Sequence, residues 1–165
     1  MNIKNLVTCK GNGIFAIIGR DELESYPSYD EPYNYVSLFP KDLCFITISD
    51  INRDNINHSN HFANTLELKF WDIEEDIGNY KIITDEQAKQ IYDFIVKNKD
   101  KEFLINCEAG VSRSAGVGLA IEYLLRDKDL YEKWEHFPSK VLQHWRYQPN
   151  MTVFNKIIQF DEVEK

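Results

Sequence analysis

The chain has few cysteines and fewer basic than acidic residues, and each of these shortages excludes some classes of protein. Three cysteines occur among 165 residues, at positions 9, 44 and 107. They are too few and too scattered for a disulfide framework or a set of metal ligands, so we expect a reducing compartment. Lys and Arg together number 19 against 27 Asp and Glu, which gives a formal net charge of −8. This balance argues against a broad nucleic-acid or anionic-membrane surface, because both need excess basic residues.

Long apolar runs are also missing. No run approaches the length that crosses a bilayer, and the first residues, Met1 to Leu6, lack the apolar stretch of a signal peptide. We therefore expect a soluble, cytoplasmic protein. The length and the 43% hydrophobic content predict one domain over residues 1–165. His58 and His61 have i, i+3 spacing, but no third ligand is apparent, so we predict neither a metal nor another cofactor.

Strand and helix patterns alternate along the chain. Apolar or alternating runs predict strands, and helical spacing with capping residues predicts helices. From residue 64 to residue 121 a strand, a helix, a strand and a helix follow one another, which predicts an α/β fold with a parallel central sheet. The predicted strands are residues 13–18, 43–48, 64–70 and 101–106. The predicted helices are residues 85 to about 98 and 114–121, one begun by Pro138 and Ser139, and one capped by Asn150.

The most informative segment is the octapeptide from residue 107 to residue 114, Cys-Glu-Ala-Gly-Val-Ser-Arg-Ser. It joins a predicted strand to a predicted helix. Such a short loop points several backbone N–H groups at one spot, and the helix dipole adds partial positive charge there. Gly110 permits the turn that lets successive amides face inward. The sequence therefore predicts an anion-binding cradle with a thiol at one rim and a guanidinium at the other.

Cys107, Arg113 and Ser114 are the residue types that phosphate-ester chemistry needs around such a cradle. A thiolate is the nucleophilic form of cysteine, and a helix N-terminus and a neighbouring Arg favour that form. Arg113 offers a planar fork to two phosphate oxygens, which Lys does less well. Ser114, at the helix start, can cap the helix. It can also donate to the Cys107 sulfur, which eases departure of the sulfur when a phosphocysteine is hydrolysed.

This segment resembles the phosphate-binding signature of the cysteine-dependent protein tyrosine phosphatases. Residues 108–117 are most similar to the compact dual-specificity branch, including its bacterial and phage-encoded members. The resemblance implies a sheet of about four or five mainly parallel strands, flanked by helices on both faces. It implies that Cys107 is the nucleophile and that Arg113 binds the phosphate and stabilises the transition state. It also implies that Ser114 assists the second step of the reaction, the hydrolysis of the phosphocysteine. The amides of the cradle would bind the remaining phosphate oxygens, and the Glu108 side chain should point away from them. The phosphate-binding residues are then Glu108, Ala109, Gly110, Val111, Ser112 and Arg113.

The resembled family also uses an Asp, on a loop after a strand, that protonates the leaving oxygen. It lies roughly thirty residues before the nucleophile. Two residues of this chain fit: Asp72 precedes Cys107 by 35 positions and Asp76 precedes it by 31. Spacing alone favours Asp76. We prefer Asp72 because it directly follows the strand predicted at residues 64–70, while Asp76 stays open as the alternative.

One position departs from the family pattern. Most members have His immediately before the nucleophile, and this chain has Asn106. An Asn amide still donates hydrogen bonds, but it cannot carry charge. We therefore expect the thiolate to be less well supported than is usual for the family, with activity kept.

The resemblance implies a phosphatase that hydrolyses phosphate monoesters through a phosphocysteine intermediate. Its expected substrates are phosphotyrosine and, as an extension, phosphoserine and phosphothreonine on proteins. One alternative is the same chemistry on a phosphoinositide, an RNA 5′-triphosphate or a small phosphate ester, although the cradle lacks the extra Lys or Arg of many relatives that bind polyanions. The other is a catalytically silent phosphate-binding module. We expect a phosphorylated protein as partner, no nucleic-acid or membrane partner, and a monomer.

Overall fold

The computed structural model describes residues 14–24, 39–56, 61–129 and 133–163 of the chain. A sheet of four parallel strands, in the order β1-β4-β2-β3, runs through the described residues. The predicted α/β class and the parallel sheet are therefore confirmed. The strands are β1 (Ile14–Gly19), β2 (Cys44–Ser49), β3 (Asn64–Lys69) and β4 (Glu102–Cys107).

Helices follow the strands much as the sequence predicts. The three longest have 13 residues each, and a short helix after β1 and a 3-10 turn before α4 were not predicted. Of the helices described, none is long and apolar enough to cross a membrane. The helices are α1 (Arg20–Glu24), α2 (Asp85–Lys97), α3 (Arg113–Leu125), α4 (Lys140–Gln143) and α5 (Met151–Val163), and the 3-10 turn is Trp134–His136.

The two faces of the sheet are covered differently. On one face, strand side chains such as Ile46 and Ile105 pack with residues of α2, α3, α4 and α5 in the larger core cluster. On the other face, Phe45 and Leu104 belong to a second cluster that includes Leu23 of α1 and several loop residues. The central strands β2 and β4 are buried on both faces, so their sequences are mostly apolar runs, whereas the edge strand β3 is only partly buried and its sequence alternates. Helices thus lie on both faces, as expected, although most of the helical packing is on one.

Side-chain caps fix where the helices begin. Thr84 Oγ1 accepts the N–H of Gln87 at 3.1 Å, and Gln87 Oε1 accepts the N–H of Thr84 at 3.0 Å, so the predicted capping box is confirmed. Asn150 Oδ1 accepts the N–H of Val153 at 3.0 Å, which confirms the predicted cap of α5. These contacts satisfy N–H groups that have no partner inside their own helix.

The candidate site lies where the strands end. β4 ends at Cys107 and α3 begins at Arg113, so residues 108–112 form the connecting loop. Ser112 stands at the N-cap, without a capping hydrogen bond from its side chain. The expectation that Ser114 caps this helix is therefore wrong, because Ser114 already lies inside the first turn and is fully buried. Parallel strands bring their carboxyl ends to one edge, and the loops that follow them meet there.

Candidate active site

Cys107 and Ser114 are in direct contact beneath the cradle. The Cys107 Sγ lies 3.1 Å from the Ser114 Oγ, and either atom can be the donor. Both residues are buried, with exposures of 2% and 0%. Because α3 starts at the cradle, the partial positive charge of its N-terminus acts on the same spot. The structure therefore brings the predicted nucleophile and its predicted assistant together.

The cradle, residues 108–112, is packed tightly against the end of β1. Gly110 has φ +66°, and a Cβ on it would lie 2.4 Å from the Gly19 nitrogen, so only glycine fits there. The carbonyl of Glu108 accepts the N–H of Arg20 at 2.9 Å. Ala109 is in close approach as well, because a Cβ on Gly19 would lie 2.9 Å from its carbonyl oxygen. The loop is thus held by backbone contacts on its β1 side.

The Glu108 carboxylate forms salt bridges with Arg20 and Arg53 rather than with Arg113. Arg20 Nη1 donates to Oε1 at 2.9 Å and Arg53 Nη1 donates to Oε2 at 2.7 Å. The N–H of Asp50 also donates to Oε1, at 3.3 Å. These contacts tie the cradle to α1 and to the loop after β2. They agree with the expectation that this side chain turns away from the place where phosphate would bind.

The Arg113 guanidinium is held through its Nη1, whereas its Nε has no hydrogen-bond partner. Its Nη1 donates to the Phe70 carbonyl at 2.6 Å and lies 2.8 Å from Asp50 Oδ1. The side chain is 3% exposed, and its Nε is buried without a hydrogen-bond partner. A buried N–H of this kind is costly unless something accepts from it. The arrangement therefore fixes the guanidinium and leaves a donor ready for an anion.

Asp72 lies beside the cradle. Its Oδ1 accepts from Ser112 Oγ at 2.8 Å and from Asn150 Nδ2 at 3.0 Å. Within the described residues its other oxygen, Oδ2, has no hydrogen-bond donor. Asn150 also donates to the carbonyl of Ile73 at 3.2 Å, which fixes the loop that carries the aspartate. The chain thus holds one carboxylate oxygen and leaves the second available.

Asp76 has a different setting from Asp72. Its carboxylate accepts the N–H of Ile82 at 3.0 Å and pairs with Lys81 Nζ at 2.9 Å. These hydrogen bonds, the one from Ile82 first, hold the pKa of Asp76 below its usual range. A lowered pKa opposes the protonated form that a general acid needs. Asp76 also does not line either cavity beside the cradle.

Asn106 stands where most members of the resembled family have His, and its side chain makes its hydrogen bonds within the sheet. Its Oδ1 accepts from Thr47 Oγ1 at 3.0 Å, and its Nδ2 donates to the carbonyls of Ile18 at 3.0 Å and Cys107 at 3.2 Å. The amide therefore bridges β1, β4 and β2 and stays 99% buried without an unpaired group. It supports the backbone at Cys107 rather than the sulfur of that residue.

Two cavities meet at Asp72. The first, which we call the Arg113 cleft, has a volume of about 460 Å³, and Trp71 and Tyr80 pack edge to face in its wall at 5.1 Å. The second, which we call the Asp72 groove, has a volume of about 480 Å³. Asp72 and Ile73 line both. The cleft is lined by Asp50, Trp71, Asp72, Ile77, Tyr80 and Arg113, and the groove by Asp72, Ile73, Glu74, Leu142, Pro149 and Met151, with further residues in each.

Cys44 is too far from Cys107 to form a disulfide with it in this fold. Cys44 is paired with Phe103, which precedes Cys107 by four residues on β4. That offset is about 13 Å along a strand, whereas disulfide-bonded Cα atoms lie about 4.4–6.8 Å apart. Cys44 is completely buried, and burial raises the pKa of its thiol. It is therefore a core residue, and Cys9 lies outside the described residues.

Metal ligands are not gathered in the described part of the chain, where no three His, Cys, Asp or Glu side chains form a group that could hold an ion. His61 Nε2 lies 2.7 Å from the carbonyl oxygen of Phe39. His58, the other histidine of the i, i+3 pair, lies outside the described residues. That the protein needs no metal stays a prediction.

Three residues that hold the site were missed in the sequence. Asp50 binds Arg113, Arg20 binds Glu108, and the Asn150 amide binds Asp72 in addition to capping α5. Asp50 and Arg20 each follow directly after a strand, at the sheet edge where Cys107 also lies. That shared position was a usable signal, because loops after parallel strands converge at one edge.

The fold is similar to that of known phosphatases. The Yvh1 phosphatase domain from Chaetomium thermophilum matches with a TM-score of 0.53 and 14% sequence identity, over 94% of each chain. The human tyrosine phosphatase-like serine/threonine/tyrosine-interacting protein matches with a TM-score of 0.49 and 17% identity, over 74% of this chain and 78% of that one. PTPMT1 in complex with PI(5)P matches at 0.48 and 13%, over 75% and 81%. No family model and no curated protein matches the chain.

The chain therefore shares its fold with the Yvh1 phosphatase domain. The expected fold class is confirmed.

Proposed function

We propose that this protein is a phosphatase that hydrolyses phosphate monoesters through a phosphocysteine intermediate. Its substrates are phosphotyrosine and, as an extension, phosphoserine and phosphothreonine on proteins. The observation that carries the proposal is the buried Arg113 Nε without a partner, at the end of a cradle that Cys107 directly precedes. A donor buried in this way fits a phosphate oxygen, and the adjacent thiol fits attack on the phosphorus.

In the first step the Cys107 thiolate attacks the phosphorus in line with the ester oxygen. An S–P bond forms and the P–O bond to the leaving group breaks. Protonated Asp72 gives its proton to the leaving oxygen, and the cradle amides with Arg113 bind the equatorial oxygens. The position of Asp72 supports this role, since it contacts Ser112 of the cradle and also lines the Arg113 cleft.

In the second step water replaces the sulfur. Asp72, now a carboxylate, takes a proton from the attacking water, the new O–P bond forms, and the S–P bond breaks. The thiolate that leaves accepts a hydrogen bond from Ser114 Oγ, which lies 3.1 Å from the sulfur. Phosphate departs, and the enzyme returns to its starting state without an oxidant, a reductant or a metal in the scheme.

Charge around the site supports a monoester substrate over a polyanion. Among the described residues lining the Arg113 cleft and the Asp72 groove, Arg113 is the one cation, while Asp50, Asp72 and Glu74 are carboxylates. A substrate with several phosphates would meet repulsion there. The monomeric state and a cytoplasmic location are part of the same proposal.

The test is hydrolysis of an aryl phosphate and a phosphotyrosine peptide with a chelator present. We expect turnover by the wild type, inhibition by vanadate and loss of turnover in Cys107→Ser. Metal dependence would contradict the scheme. Vanadate binding without turnover of either substrate would support the catalytically silent alternative, and Asn106→His would then be the rescue variant.

A further inference from the structure

The Asp72 groove adjoins the cleft in which the phosphate would bind. Asp72 and Ile73 line both cavities, and Asp72 is the proposed donor to the leaving oxygen. The leaving group of a protein substrate is the side chain of the phosphorylated residue, which continues into the polypeptide. Residues next to the phosphorylated one therefore come within reach of the groove.

The groove combines a carboxylate with an apolar floor. Glu74 Oε1 accepts the N–H of Met151 at 2.9 Å, and the Glu74 carbonyl accepts from Thr152 Oγ1 at 2.8 Å, so the residue is anchored at the start of α5. Its Oε2 has no donor among the described residues. Leu142 and Met151 line the same groove and are 57% and 40% exposed.

No Lys, Arg or His is among the described residues that line the groove. A carboxylate next to exposed aliphatic side chains matches a long basic side chain, because Lys and Arg lay their methylene stems on apolar surface and keep the charged head in polar surroundings. An acidic residue at the same place would meet the Glu74 carboxylate without a counter-charge.

We propose that the Asp72 groove is a specificity subsite for an Arg or Lys next to the phosphorylated residue of a polypeptide substrate. The inference rests on the proposed function and narrows its substrates to phosphoproteins with an Arg or Lys next to the phosphorylated residue. Glu74 pairs with the cationic head, and Leu142 and Met151 contact the stem.

The probe is a set of alanine-rich phosphotyrosine peptides with a single Arg at position −2, −1, +1 or +2 from the phosphotyrosine. Each has a partner with citrulline, which keeps the shape of Arg and removes its charge, and another with Glu. At the preferred position we expect kcat/KM for Arg to exceed that for citrulline by roughly two- to fivefold, as for an exposed ion pair. The difference should appear in KM, and it should shrink at about 1 M salt, where the Debye length falls to about 3 Å.

Glu74→Gln and Glu75→Gln form a matched pair of variants. Gln still accepts the N–H of Met151, and Glu75 is an exposed neighbour that does not line the groove. We expect the Arg-to-citrulline ratio to approach one in Glu74→Gln and to stay as in the wild type in Glu75→Gln. A ratio of one at every position in the wild type, or an unchanged ratio in Glu74→Gln, would overturn the subsite while hydrolysis of the peptides leaves the phosphatase intact. If the wild type hydrolyses neither the peptides nor an aryl phosphate, the proposed function itself fails and the subsite with it.

Discussion

Arg20 Nη1 lies 2.9 Å from Glu108 Oε1, so the first residue of α1 holds the first residue of the cradle. Arg20 is 4% exposed, and its other donors bind Glu24 and the carbonyl of Asp54. Glu108 also accepts from the N–H of Asp50, whose carboxylate binds Arg113. The backbone of the cradle and the guanidinium of Arg113 are thus fixed by one connected set of contacts.

Replacing Arg20 with Met should destabilise the protein. The change removes a charged donor from a largely buried carboxylate, and we expect a loss of about 2 kcal/mol in the free energy of unfolding. Denaturant unfolding measures it. Arg53 binds the same carboxylate but is 50% exposed, so Arg53→Met should cost less than about 1 kcal/mol. Equal losses in the two variants would contradict the assignment of Arg20 as the main anchor.

Asp72→Asn and Asp76→Asn should separate the two candidate acids. With a phosphotyrosine peptide, whose leaving group needs protonation, we expect kcat to fall about 100-fold in Asp72→Asn and by less than about twofold in Asp76→Asn. An activated aryl phosphate should show a smaller Asp72 effect, because its leaving group departs unprotonated. The reverse order of the two variants would identify Asp76 as the acid.

Ser114→Ala should slow the second step selectively. The variant removes the hydroxyl that lies 3.1 Å from the sulfur, and the loss of a hydrogen bond to a charged group, ~1.5 kcal/mol, corresponds to about tenfold in rate. Because kcat/KM depends on steps up to formation of the phosphocysteine, it should change little while kcat falls. Stopped-flow kinetics should then show a burst of leaving group equal to the enzyme concentration. A fall in kcat/KM without a burst would place Ser114 in the first step instead.

The cradle and the sheet could be predicted because local sequence determines them. The strands around Ile46 and Ile105 are apolar runs long enough to be buried on both faces, and the Gly110 turn leaves few backbone alternatives. Asp72 was preferred from its place directly after a predicted strand. Its contacts with Ser112 and Asn150 are consistent with that preference.

The supporting contacts could not be predicted in the same way. Asp50 and Arg113 are 63 positions apart, and Arg20 and Glu108 are 88 positions apart. Only the strand order β1-β4-β2-β3 brings their loops together, and no local pattern carries that order. Ser114 was expected to cap α3 because the helix was predicted to start at that residue. A sequence pattern locates a helix end only to within one or two residues, and α3 in fact begins earlier, at Arg113.

Asp76 should contribute to stability in a pH-dependent way. Its pKa is lowered in the folded protein by hydrogen bonds from Ile82 and Lys81, so it favours the folded state while the carboxylate is charged. That contribution is fully present above the ordinary pKa of an aspartate, about 3.9, and is lost as the pH falls through the lower folded value. Thermal unfolding of Asp76→Asn should therefore give a lower Tm than the wild type at pH 6, and the difference should shrink toward pH 2.5. Lys81→Met, which removes one of the two donors, should show part of the same pH dependence. A Tm difference that is constant with pH would mean that the variant acts through backbone geometry rather than through the charge of Asp76.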